Sequence, residues 1–335
     1  MSARAVFALA FLALAASSHA QRAPRLGCPA LARPDRDGRF VAREDLAGPR
    51  TPVDGDDWLA RVNRSPRGSL AASYAPRDLV DLRTLARADA STCVPPDRQC
   101  LRREAALALR SLAAALRAAT GDALVVDSAF RGYATQCQVF GKWAWREGRG
   151  FCATAVASAL PGHSQHQLGT AVDVLTAAWL RGGYRFRDGF GCTAAGRWLA
   201  ERAWAFGFAL PYPLHPDHRA TGSDCLARPD ARGRLDPRTG YKHEPWHLRY
   251  VGVDHAARFR AAWEASGPGT AGEITLEQWI RRERGVPGTA DLPVCDGCAC
   301  DACATFRPRD ATTPAPCPAG PGVEVLDPAG EPAPP

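Results

Sequence analysis

Ser164-Gln165-His166-Gln167-Leu168-Gly169-Thr170-Ala171-Val172-Asp173 sets a histidine seven residues ahead of an aspartate, with Gly169 permitting a tight turn between them. Ala171 to Leu175 reads as a strand, which puts Asp173 inside it and His166 on the approach. Further along, Glu244-Pro245-Trp246-His247 enters Trp246-His247-Leu248-Arg249-Tyr250-Val251, which alternates as a strand should. Pro245 disfavours helix at Glu244, so this is not a helical His-Glu-x-x-His metal motif. A catalytic zinc site typically has three protein ligands and one open position. His166, Asp173 and His247 offer such a set, and Glu244 is a nearby carboxylate free to act as a base. Taken singly, each has a duller explanation, a hydrogen-bonded core histidine or a turn aspartate. Joined in this order, the two segments point to one metal centre.

Outward from that centre, helices and short strands are intermingled. Leu124-Val125-Val126-Asp127-Ser128 is a short β-rich run leading to Arg131-Gly132-Tyr133, and a helix is expected from Ala134 to Trp145. Leu101, Ala105, Ala108, Leu112 and Ala115 recur at helical spacing, which predicts an amphipathic helix from Leu101 to Ala119 stopped by Thr120-Gly121. Another is expected from Ala194 to Phe206, closed by Gly207. Thr275-Leu276-Glu277-Gln278 has capping-box form and opens a last helix, Leu276 to Arg284. The stretch from Leu79 to Cys100 reads as loop. With no regular βαβ alternation, the class is α+β.

Composition narrows the setting. The net charge of +7 is spread along the 335 residues rather than gathered in runs, which argues against a nucleic-acid partner. Arg4 precedes an apolar run from Ala5 to Ala16, and Ser18-His19-Ala20 makes a small-x-small cleavage site. Residues 1–20 are therefore expected to be a signal peptide removed near Ala20, sending the chain to the periplasm or outside the cell. No transmembrane segment is expected. Twelve cysteines suit an oxidising compartment. Cys93 with Cys100, Cys137 with Cys152, and Cys192 with Cys225 are candidate pairs, although spacing does not decide connectivity. Residues 21–56 read as a poorly ordered lead-in, 57–288 as the catalytic domain, and 289–335 as a Cys-rich, then Pro/Ala-rich appendage. In that tail Cys295-x-x-Cys298-x-Cys300-x-x-Cys303 favours disulfides over a second zinc, because the gap between the pairs is tight.

Ser-x-His-x-x-Gly-x-Ala-x-Asp followed by Glu-x-Trp-His resembles the signature of the VanY-type D-alanyl-D-alanine carboxypeptidases. These belong to the LAS zinc metallopeptidases, named for lysostaphin, D-Ala-D-Ala carboxypeptidase and sonic hedgehog. Ser128-Ala129-Phe130-Arg131-Gly132-Tyr133-Ala134-Thr135-Gln136 is similar to a third segment of that family, and the resemblance extends over about residues 57–285. It implies a small, mostly antiparallel sheet flanked by helices, with one Zn2+ in a cleft. The implied ligands are His166, Asp173 and His247, with Glu244 as catalytic base and Arg131 contacting the substrate carbonyl or terminal carboxylate. Ser128, Tyr133, Gln136 and Ser164 would line the substrate pocket. His163 precedes the motif and is not expected to be a ligand, and a structural part is expected for His215, His218, His243 and His255. The implied substrate is the peptidoglycan stem peptide, cut by a monomeric D,D- or L,D-carboxypeptidase. The alternatives are an endopeptidase of the same fold and a non-catalytic, zinc-stabilised cell-wall binding module.

Overall fold

The computed structural model describes residues 53–63, 68–84, 99–143, 154, 158–186, 188–214, 236 and 238–286. The expected signal peptide, most of the expected lead-in, the expected appendage, His215 and His218 lie outside the described residues. Val53 to Asp56, assigned by sequence to the lead-in, are already tied to the domain: the Val53 N–H donates to the Ser69 carbonyl at 2.9 Å.

The frame is a four-stranded antiparallel sheet in the order β3-β4-β6-β5, from β3 (Leu124–Ser128), β4 (Ala171–Thr176), β5 (Phe208–Ala209) and β6 (His247–Tyr250). Strand β4 is buried along its whole length, so both faces of the sheet's middle are covered. Period-2 alternation then separates two jobs. Val172, Val174, Leu248 and Tyr250 enter the apolar core, together with Leu109, Leu112 and Leu116 from helix α1 (Arg103–Thr120). Asp173 and His247, which are register partners, occupy the alternate positions. The metal motif is thus the polar phase of strands whose apolar phase makes the core.

Helix α1 ends where expected, with Gly121 in the left-handed conformation (φ 74°) and its N–H donating to the Arg117 carbonyl at 2.8 Å. Its start and its stripe differ from the sequence reading. Cys100–Arg102 is instead strand β2, paired antiparallel with β1 (Leu79–Asp81), so part of the expected loop is a small ladder. The buried stripe is Ala105, Ala106, Leu109, Leu112 and Leu116, one register on from the expected Ala108 and Ala115. Helix α2 (Tyr133–Gly141) follows the Arg131 segment. The short helix α3 (Ala177–Arg181) leaves β4, capped by the Thr176 hydroxyl, which accepts from the Trp179 N–H. Helix α4 (Ala194–Arg202) passes into a 3-10 turn ending at Phe206, with Gly207 left-handed after it. Helix α5 (Val253–Ala265) was not foreseen, while α6 (Leu276–Glu283) carries the expected capping box between Thr275 and Gln278. Leu276, Trp279 and Ile280 bury against Leu59, Val251 and Ala256, closing a second apolar cluster. Cys100, Cys137 and Cys192 are disulfide-bonded. Cys93, Cys152, Cys225 and the tail cysteines lie outside the described residues.

Candidate metal and catalytic site

Three adjacent strands contribute to one transverse row. Asp173 pairs with His247 on one side and with Ser128 on the other, the latter after a register shift between Val126 and Ser128. His166 joins from a 3-10 turn, Gln165–Leu168, immediately before β4. The Ser164 hydroxyl starts that turn by accepting from the His166 N–H at 3.3 Å, and Gly169 (φ 67°) ends it. A Cβ on Gly169 would stand 2.9 Å from Leu79 Cδ2 and 3.0 Å from Pro76 Cγ, so both backbone conformation and space require glycine there.

One donor atom each from His166, Asp173 and His247 lies within 4.8 Å of the others, and all three residues are buried. His166 Nδ1 lies 2.6 Å from the Ala129 carbonyl, which can only accept, so Nδ1 carries the proton and Nε2 the lone pair. That Nε2 is 3.2 Å from Asp173 Oδ2, and His247 Nδ1 is 2.9 Å from Asp173 Oδ1. Ligand atoms about 2.0–2.1 Å from a tetrahedral zinc are about 3.3 Å apart, close to both separations. Protonation states agree. Burial first, then the Arg131 guanidinium, lowers the His166 pKa from 6.5 to about 4, so the ring is neutral at neutral pH. Burial would raise the Asp173 carboxyl, but His166 and His247 outweigh it and hold it below the usual carboxylate range. Two imidazoles and a carboxylate are a donor set suited to zinc.

Arg131 and Glu244 stand at the rim. The exposed side-chain fraction is 10% at Asp173, 16% at Arg131 and 20% at Glu244, so these two reach solvent beside buried ligands. Glu244 Oε2 is 3.9 Å from His247 Nδ1, and the Glu244 carbonyl accepts the His247 N–H at 3.1 Å, making Glu244–His247 a tight turn into β6. Arg131 Nη1 is 3.5 Å from Asp173 Oδ2. Its Nη1 donates to Ser128 Oγ and its Nε to Gln136 Oε1, both at 3.0 Å. Gln136 is fixed in turn, donating to the Ala159 carbonyl at 2.7 Å.

The residues expected to line a pocket therefore have closer tasks in this structure. Ser128 and Gln136 are buried and hold the Arg131 guanidinium, Ser164 caps the His166 turn, and Tyr133 is buried. His163 is outside the three-residue cluster, and its Nδ1 contacts the Asn63 carbonyl at 2.7 Å. His243 Nδ1 contacts the Tyr212 carbonyl at 3.0 Å. Sequence reasoning passed over Tyr212, whose ring lies 5.0 Å from that of His247, and Gln165, whose Oε1 is 3.2 Å from His247 Nε2. Gln165 stood inside the quoted motif; Tyr212, between two prolines, carried no signal.

Residues 98–223 match the family model VanY, D-alanyl-D-alanine carboxypeptidase, a span that holds Arg131, His166 and Asp173 and ends before Glu244 and His247. YodJ of Bacillus subtilis (strain 168), which bears a carboxypeptidase name, is 30% identical over 197 residues, 59% of this chain and 61% of that protein. A D-alanyl-D-alanine carboxypeptidase of Enterococcus faecalis (strain ATCC 700802 / V583) is 35% identical over 102 residues, 30% of this chain and 27% of that one. The structure of the LD-carboxypeptidase LdcB aligns with a TM-score of 0.50 at 26% identity, covering 72% of this chain and 97% of that chain. The chain thus spans about three-fifths of YodJ and about a quarter of the enterococcal enzyme.

Proposed function

We propose that this chain, whose residues 98–223 are a VanY-type D-alanyl-D-alanine carboxypeptidase domain, is a zinc-dependent carboxypeptidase that removes the terminal D-alanine from peptidoglycan stem peptides. The observation that carries the reading is the pairing of the buried His166, Asp173 and His247 cluster with a rim made of one carboxylate and one fixed guanidinium. A binding module would need the cluster but not the rim.

When bound, zinc supplies a Lewis acid for the scissile carbonyl and lowers the pKa of a water to about 7. Glu244 takes a proton from the attacking water and delivers it to the leaving amine. Arg131, held by Ser128 and Gln136, presents a guanidinium either to the developing oxyanion or to the substrate's terminal carboxylate. Ser164 and Gly169 keep His166 facing Asp173 throughout. Similarity to a D-alanyl-D-alanine carboxypeptidase and to an LD-carboxypeptidase supports a C-terminal D-alanine as the leaving group. The Arg4 to Ala20 segment supports export to the compartment where that substrate lies. Among the described residues, no helix is long and apolar enough to cross a membrane.

The test is to incubate the zinc-loaded protein with defined muropeptides and weigh the products. Release of one D-alanine from a pentapeptide identifies a D,D-enzyme, and from a tetrapeptide an L,D-enzyme; cleavage within a cross-bridge alone overturns the carboxypeptidase reading. Glu244→Ala should abolish turnover while one zinc per chain is retained. An unchanged rate would remove Glu244 from the mechanism.

A further inference from the structure

Gln165 is a neutral side chain, buried, one residue ahead of a ligand, and no step above employs it. Its Oε1 lies 3.2 Å from Nε2 of His247, a residue 82 positions away. We infer that Gln165 is a positioning residue that fixes the tautomer of His247, so that Nδ1 is the atom offered to the metal. This rests on the metal-site reading above and adds to it a residue that holds a ligand without touching metal or substrate.

The argument begins with the two nitrogens of one ring. His247 Nδ1 faces the centre, 2.9 Å from Asp173 Oδ1 and 3.9 Å from Glu244 Oε2. To bind a cation there, Nδ1 must carry the lone pair, and a neutral ring must then place its proton on Nε2. That proton is buried and needs an acceptor. Gln165 Oε1 is the acceptor within reach, which also settles which end of the Gln165 amide faces the ring. With no acceptor at Nε2, the ring gains more by protonating Nδ1 and donating to Asp173, and a proton then occupies the metal's place. Ligand histidines commonly have such a partner on the second nitrogen, and losing it typically weakens metal binding about 10–100-fold. His166 has its own in the Ala129 carbonyl, and Gln165 completes the pair for His247.

Placement makes Gln165 more than a bystander. It rides on the 3-10 turn that carries His166, capped by Ser164 and closed by Gly169, so one rigid turn supplies a ligand and orients the ligand opposite. The Tyr212 ring, 5.0 Å from that of His247 and inclined 37° to it, limits the imidazole's rotation. The acceptor can therefore act on the proton's position without having to hold the ring alone.

The experiment uses the full chain and a chelator competition for Zn2+. Gln165→Met keeps length and removes the acceptor, and should weaken zinc binding about 10–100-fold. Gln165→Glu keeps both the shape and the acceptor and should stay within about threefold of the parent. Equal affinity of Gln165→Met and parent overturns the inference, as does equal loss in both variants. Failure of the parent itself to bind one zinc is a different result, and it sinks the metal-site reading instead. Should Gln165→Met not fold, histidine 15N shifts of the zinc-loaded parent decide, with the His247 signal identified by His247→Gln. A metal-bound Nδ1 with a protonated Nε2 supports the inference; ligation through Nε2 overturns it.

Discussion

Acid should destabilise the metal-free protein through His166, by an amount the structure sets. The ring is buried, and its pKa falls from 6.5 to about 4, first through burial and then through the charge of Arg131. In the unfolded chain the imidazole takes its proton near pH 6.5, whereas the folded protein refuses it until about pH 4. Between those values the unfolded state binds more protons, so stability rises with pH. The contribution is complete above pH 6.5 and lost by about pH 4. At about 1.4 kcal/mol per pH unit the whole span corresponds to about 3 kcal/mol, most of it expressed between pH 7 and 4.5. For a domain of this size, each kcal/mol moves the melting temperature by roughly 2–4 °C, which gives roughly 6–12 °C. Asp173 acts in the same direction but in a lower window, since its carboxyl is already held below the usual range. His255 is also lowered, by burial first and then by Arg258, and adds a term of the same sign. The assay is thermal unfolding with excess chelator from pH 7.5 to 4.5, parent beside His166→Gln, so that His255 and the carboxylates remote from His166 cancel. The acid-induced drop should be smaller in His166→Gln by the stated amount. Equal drops in both proteins would refute the placement of His166 as a buried neutral ligand.

Two further outcomes follow from the same geometry. Arg131→Met should lower kcat/KM by roughly two to three orders of magnitude, corresponding to about 2.7–4 kcal/mol, with zinc stoichiometry kept. Arg131→Lys should recover little of it, because a single ammonium does not match the fork that meets both Ser128 and Gln136. Gly169→Ala should cost about 2–4 kcal/mol in urea unfolding, combining left-handed backbone strain with crowding against Leu79 and Pro76. A loss below about 1 kcal/mol would show that the turn can relax without harm.

The parts of the fold legible in the sequence are those with a period or a punctuation mark. Strands β4 and β6 were readable from apolar runs and alternation, and the ends of α1, α4 and α6 from Gly121, Gly207 and the Thr275 capping box. The β1–β2 ladder was not readable, because three-residue strands have no period and their partners stand about twenty residues apart in the chain. Leu101 fits the helical spacing yet belongs to β2, and pairing with Val80 overrides that local pattern. Helix α5 went unread although Ala256, Phe259 and Trp263 recur at helical spacing; only Ala256 is fully buried, the other two being half-buried against the second cluster. At the site, His166, Asp173, His247 and Glu244 were visible as ligand and base types at workable spacing, and Arg131 through the resemblance of its segment to the VanY type. How they are oriented was not: Ser128 and Gln136 were named only as pocket residues through the resemblance, and Gln165 was given no role, because single hydrogen bonds from neutral groups leave no compositional trace. Arg249 shows the same gap. A strand arginine suggests a solvent-facing position, yet this one is fully buried, donating to the Trp58 and Ala60 carbonyls.

How the charges are arranged explains why the Arg131 guanidinium is not drawn fully onto Asp173. The Arg131 guanidinium makes a long ion pair with the buried Asp173 carboxylate, at 3.5 Å. Two features keep it from closing further. The Asp173 oxygens already face His166 Nε2 at 3.2 Å and His247 Nδ1 at 2.9 Å, so its lone pairs are directed at the ligand cluster. Arg131 is held from the other side by Ser128 and Gln136, both neutral, so its hydrogen bonds fix direction without cancelling charge. A cation among the three ligands would compete with Arg131 for Asp173 and leave the guanidinium still less committed to it. Both Arg131 and Glu244 keep part of their side chains in solvent, 16% and 20% exposed. The register shift between Val126 and Ser128 contributes directly, because it brings the Ser128 hydroxyl opposite Asp173 and within reach of Arg131. An irregularity of one residue in β3 thus places the anchor that keeps the Arg131 guanidinium from closing onto the His166, Asp173 and His247 cluster.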